Sequence, residues 1–104
     1  MGLKVYWTHF AENKLDDIFE YYCEKAGVRF AQKFVNEIVG KSLDLERNPF
    51  IGQKELLLKH RIQEFRYLVF KNYKIIYWVN REKNRVEIFN LFDCRQNPEK
   101  IDEI

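Results

Sequence analysis

Three cations stand where a phosphate could be held: Arg66, Lys74 and Arg95, each on a different predicted strand or strand end. Arginine suits that task because its planar fork binds two oxygens at once and never loses its charge. The chemistry such groups could serve is metal-free cleavage of RNA. A base takes the 2′-hydroxyl proton, cations stabilise charge growing on the phosphate, and an acid protonates the leaving oxygen. The competing reading for each residue is a surface charge that merely keeps a sheet soluble. Arg95 poses the choice most sharply, because "LFDCRQNPEK" ends an apolar strand on an arginine between turn formers, and Asp93 could hold it in a local ion pair.

Absent motifs narrow the field. There is no glycine-rich phosphate loop, no nucleophile elbow, no clustered set of metal ligands and no close carboxylate pair in the basic region. No cofactor or metal is expected. Any chemistry would rest on Arg, Lys, His, Tyr or a lone Glu.

The elements that position these groups follow from periodicity. Leu3 to Trp7 reads as a strand, and Thr8 can cap the helix after it. Ala11, Leu15, Ile18, Tyr22 and Ala26 form one helical stripe, Gly27 ends it, and Ala31, Phe34, Val35, Ile38, Ser42 and Leu45 form a second. Helices are predicted near residues 8 to 26 and 28 to 47, ending before Asn48-Pro49. Four strands are predicted thereafter: 55 to 62, 65 to 71, 74 to 80 and 85 to 92, with hairpin-length polar breaks between the last three. The fold class is therefore α+β, a two-helix hairpin on one face of an antiparallel meander. Leu15, Ile18, Phe34 and Ile38 are expected to pack against Leu68, Ile76 and Ile88. Asn97 can cap a last turn that starts at Pro98.

Composition sets the outer bounds. A chain of 104 residues is one domain, 1 to 104, and nine Phe, six Tyr and two Trp let it build a core despite its size. The net charge of +2 hides an asymmetry: residues 53 to 85 hold nine of the eighteen basic residues against three glutamates. A polyanion could be held there, and a solvated sheet face is the plain alternative. Cys23 and Cys94 could form one disulfide, although free thiols in a reducing cytosol are the simpler reading. No apolar run is long enough to span a bilayer, no signal peptide is evident, and a cytoplasmic protein without membrane contact is expected.

The ordered series of the N-terminal strand, the Ala11-Leu15-Ile18-Tyr22 stripe, "NPFIGQ", "FRYLVFKNYKIIYWV" and "IFNLFDCRQNP" resembles the RelE/ParE superfamily of toxins, the toxin halves of type II toxin–antitoxin systems. The resemblance runs from residue 3 to about 101. It implies two helices packed on one face of an antiparallel sheet, a cognate antitoxin as protein partner, and Arg66, Lys74 and Arg95 at the family's cationic positions. It also carries two departures. Leu68 stands where the ribosome-dependent messenger-RNA endonucleases have a second lysine, and no tyrosine follows Tyr77 to match their catalytic one. Gly52-Gln53-Lys54-Glu55 is similar to the bend of another ribonuclease subtype, which implies Glu55 or His60 as a base. ParE-type relatives, which poison DNA gyrase, lack the ribonuclease set, and a bare arginine often ends them. The expectation is a growth-inhibiting toxin acting on messenger RNA at the ribosome. The alternatives are a non-enzymatic gyrase inhibitor and a domain that binds only its antitoxin. The oligomeric state is left open.

Overall fold

The computed structural model describes residues 2–102. Its elements run β1 (Lys4–Trp7), α1 (His9–Ala26), α2 (Val28–Leu43), β2 (Gln53–Lys54), β3 (Arg66–Phe70), β4 (Tyr73–Asn80) and β5 (Arg85–Asp93), with short 3₁₀ turns at Asp44–Glu46, Leu56–Leu58 and Pro98–Asp102. The five strands form one sheet in the order β1-β5-β4-β3-β2. β2 to β5 are an antiparallel meander, and β1 joins the far edge parallel to β5. No described helix is long and apolar enough to cross a membrane.

Local chemistry explains why the helices begin and end where they do. The Thr8 hydroxyl accepts the Ala11 N–H at 3.2 Å and donates to the Ile88 carbonyl at 2.8 Å, so one side chain caps α1 and ties it to β5. Gly27, at φ +94°, turns the chain between the helices, and its N–H closes α1 on the Cys23 carbonyl. The predicted stripes face the sheet except at Ala26, which is exposed: Ala11, Ile18, Phe34, Val35 and Ile38 pack on Tyr73, Ile75, Tyr77, Val86, Ile88 and Leu91, with Leu15, Tyr22 and Leu68 at the margin.

The structure corrects one expectation about this packing and adds an irregularity to it. Ile76 does not face the helices. Alternation along β4 points Ile75 and Tyr77 at them and sends Ile76 to the other side, where it packs with Leu58, Phe65, Phe92 and Ile101. The register of β5 against β4 also jumps, from Ile76↔Asn90 to Tyr77↔Ile88, leaving Phe89 as an extra residue. This bulge resets the alternation, so Ile88 and Leu91, three positions apart, both reach the helix side.

The strand predicted over 55 to 62 is absent. Only Gln53–Lys54 pairs with β3, and the chain then folds into the Leu56–Leu58 turn. The Glu55 carboxylate is the cause, because Oε1 accepts the Leu57 N–H at 3.1 Å and favours a turn over a ladder. Leu58 and Ile101 consequently cover part of the second sheet face. Asn97 caps the final turn as expected, its Oδ1 accepting the Glu99 N–H at 3.0 Å.

Candidate functional site

The candidate residues fall into four separate arrangements. Lys74 and Glu55 are brought together: Nζ donates to Oε2 at 2.7 Å and lies 4.3 Å from the centre of the Tyr67 ring. The Glu55 side chain is 3% exposed and that of Lys74 20%. With Oε1 taken by the Leu57 N–H and Oε2 by Lys74, the Glu55 carboxylate is an anchor for the turn below the sheet.

Arg66 serves the bend of residues 50 to 52. Its Nη1 donates to the carbonyls of Gly52 at 2.9 Å and Phe50 at 3.3 Å, and its Nη2 to Glu64 at 3.1 Å. The same bend is held from inside by Tyr77, whose hydroxyl accepts the Gly52 N–H at 2.9 Å. Burial raises the Tyr77 hydroxyl above its ordinary pKa, and burial pushes that of Tyr73 up to about 12. Both phenols therefore keep their protons near neutral pH.

His60 lies apart from these, with Nε2 2.7 Å from Asp102. Arg61 donates to the same carboxylate through Nε at 2.9 Å and also through Nη2. The Arg61 hydrogen bond, with help from His60, holds the Asp102 carboxyl below the usual range.

Arg95 ends β5 as a fork on Asp93. Nε lies 3.0 and 3.2 Å from the two carboxylate oxygens and Nη2 2.7 Å from Oδ2, while the Arg95 N–H and Asn72 also donate to Oδ1. The side chain nonetheless remains 58% exposed. Chiefly through the Arg95 hydrogen bonds, the Asp93 pKa falls from 3.8 to about 2. A carboxylate whose folded pKa is depressed adds stability above its unfolded pKa, and that stability is lost as pH falls through the folded value. Between about pH 4 and about pH 2 the parent should therefore lose about 1 kcal/mol more than Asp93→Asn, the open surroundings of Arg95 limiting the effect. Thermal unfolding of both proteins across that interval measures it, and parallel curves would contradict it.

The expected single cationic patch of Arg66, Lys74 and Arg95 does not form. Arg66 shares the helix side of β3 with Leu68, whereas Lys74 projects from the other sheet face with Ile76. Arg66 pairs with Tyr77 and Asp93 with Tyr73, so Arg66 and Arg95 are also separated by the span of β4 between those tyrosines. A second cluster, not expected from the sequence, brings the guanidinium groups of Arg66 and Arg81 both against the Phe50 ring. The only signal for it was the local excess of basic residues.

A family model described as the ParE toxin of the type II toxin–antitoxin system parDE matches residues 5–98. Among solved structures, a chain titled as the chromosomal ParDE toxin–antitoxin system from P. aeruginosa is similar, with a TM-score of 0.73 and 20% sequence identity over 88% of this chain and 95% of that one. At that identity the likeness speaks for the fold. No curated protein matches the sequence.

Proposed function

Because the chain belongs to the ParE toxin family of type II toxin–antitoxin systems, we propose that it inhibits growth by binding, as a DNA gyrase inhibitor, rather than by cutting messenger RNA. The observation that carries this reading is the dispersal of the candidate cleavage residues. Metal-free RNA cleavage needs a base, an acid and phosphate-binding cations around one bond. Here Glu55 and Lys74 neutralise each other, Arg66 braces a bend, His60 pairs with Asp102, and Arg95 forks on Asp93 at a strand end away from the others. Closing these gaps would require several ion pairs to break together.

Arg95 is the candidate whose fork is both fixed in direction and open to solvent, which suits contact with a protein target better than chemistry on a bond. A type II toxin also has an antitoxin partner. The aliphatic and aromatic side chains left outside the core, Val28 and Phe30 on α2 and Leu56, Leu57 and Ile62 near the turn, offer apolar area that an amphipathic antitoxin segment could cover.

The test is to add the purified chain to a gyrase supercoiling reaction and, separately, to follow messenger RNA after induction in cells. Supercoiling should be inhibited while messenger RNA stays intact. Arg95→Ala should weaken the inhibition at least about tenfold, the effect expected of losing a charged interface anchor, while the melting temperature stays close to the parent's, because an exposed ion pair adds little to stability. Ribosome-dependent cleavage of messenger RNA with unimpaired supercoiling would overturn the reading.

A further inference from the structure

We infer that the Phe50–Arg66–Arg81 cluster is an anion site for a nucleic-acid backbone phosphate. Arg66 and Arg81 come from opposite ends of the β3–β4 hairpin sequence, yet both guanidinium carbons lie 5.3 Å from the centre of the Phe50 ring. The cleft they line with Glu64 and Val79 has a volume of about 300 Å³. Two like charges held on one ring repel each other unless an anion lies between or beside them. One carboxylate is at hand, that of Glu64, and Lys54 (3.5 Å) shares it with Arg66 (3.1 Å). Glu64 is thus shared by two cations, and with Arg81 lining the same cleft the local charge is positive.

The hydrogen-bonding inventory leads to the same place. The Arg66 Nε–H is buried and has no partner. Among the described residues Arg81 forms no ion pair, although it is exposed at the start of the β4–β5 turn. Bracing the bend accounts for Arg66 and leaves Arg81 unexplained. A tetrahedral oxyanion would accept from both forks, with Glu64 swinging aside from its exposed position. Lys83 lies in the same turn as Arg81, so the cations continue beyond a single anion, as a polymer backbone requires.

This inference concerns direct contact with nucleic acid and needs no gyrase, so it can fail while the supercoiling test succeeds, and the reverse. The intact chain, free of antitoxin, is titrated into a labelled short DNA duplex and, in parallel, a labelled single-stranded RNA, with anisotropy read at several salt concentrations. Arg81→Glu should weaken binding at least about tenfold and reduce the salt slope by about one or more. Lys71→Glu makes the same charge change at the other end of the hairpin and should cost less than about threefold. Circular dichroism confirms that both variants fold. Tighter binding of either nucleic acid identifies the source of the phosphate and supports the site. No binding of either one, or equal losses in the two variants, would overturn it.

Discussion

Glu55→Ala is expected to destabilise the fold by about 3 kcal/mol, lowering the melting temperature by roughly 10–20 °C. The substitution leaves the Lys74 ammonium without its counter-ion under the sheet, and it deprives the Leu57 N–H of its acceptor. Removing one partner of a buried pair costs far more than the pair itself contributes, because the survivor stays desolvated. Lys74, being 20% exposed, can recover some water, which holds the cost below that of a fully buried pair. Glu55→Gln should cost about half as much, since an amide oxygen can still cap the turn. Combining Glu55→Ala with Lys74→Met should be less damaging than the separate losses predict, giving a coupling of about 1–2 kcal/mol in urea unfolding. A catalytic base would behave differently, with Gln abolishing activity in a protein of unchanged stability. Glu55→Ala within about 0.5 kcal/mol of the parent would refute the anchor role assigned here.

Gly52→Ala should be at least as harmful, about 3 kcal/mol or more. A β-carbon at this position would lie 2.6 Å from the Tyr77 hydroxyl and 2.7 Å from the Tyr67 carbonyl. Neither neighbour can retreat. Tyr77 is fully buried among the residues that join helices and sheet, and the Tyr67 carbonyl belongs to the β2–β3 pairing. The bend would have to move outward, breaking the Gly52 N–H contact with Tyr77 and straining the Arg66 contact with the Gly52 carbonyl. Tyr77→Phe separates the two effects. By itself it should cost about 1–2 kcal/mol for an orphaned buried N–H. Adding Gly52→Ala to it should cost less than in the parent, because the clash with the hydroxyl is gone and only the carbonyl remains. Guanidinium unfolding of the four proteins gives these values, and a Gly52→Ala midpoint equal to the parent's would contradict the steric account.

Both residues sit in the segment where the sequence was hardest to read. The helices, their facing stripes and the β3–β4–β5 meander were legible because each declares a period of its own: Ala11-Leu15-Ile18, Phe34-Ile38 and the Leu, Ile, Val, Phe and Tyr runs after Phe65. The caps at Thr8 and Asn97 were legible for the same local reason, since a cap bonds within three residues of itself. Residues 55 to 62 looked like a strand because their aliphatic content fits one. A single carboxylate bonding two residues ahead, and a lysine from β4 that arrives only after folding, turned them into a cover for the sheet.

Local pattern dictates which side chains are available and which helices and strands carry them. The ordered series from the N-terminal strand through "FRYLVFKNYKIIYWV" to "IFNLFDCRQNP" is what resembles the family. Which cations share a face was decided by tertiary structure alone. Alternation along β3 and β4 puts Arg66 and Lys74 on opposite sides of the sheet, the bulge at Phe89 shifts the phase of β5, and the bend at Gly52 brings Phe50 against both Arg66 and Arg81. The physical reason is that a one-residue change of register reverses every side chain beyond it. That register is set by contacts between segments distant in the chain, which no local pattern records.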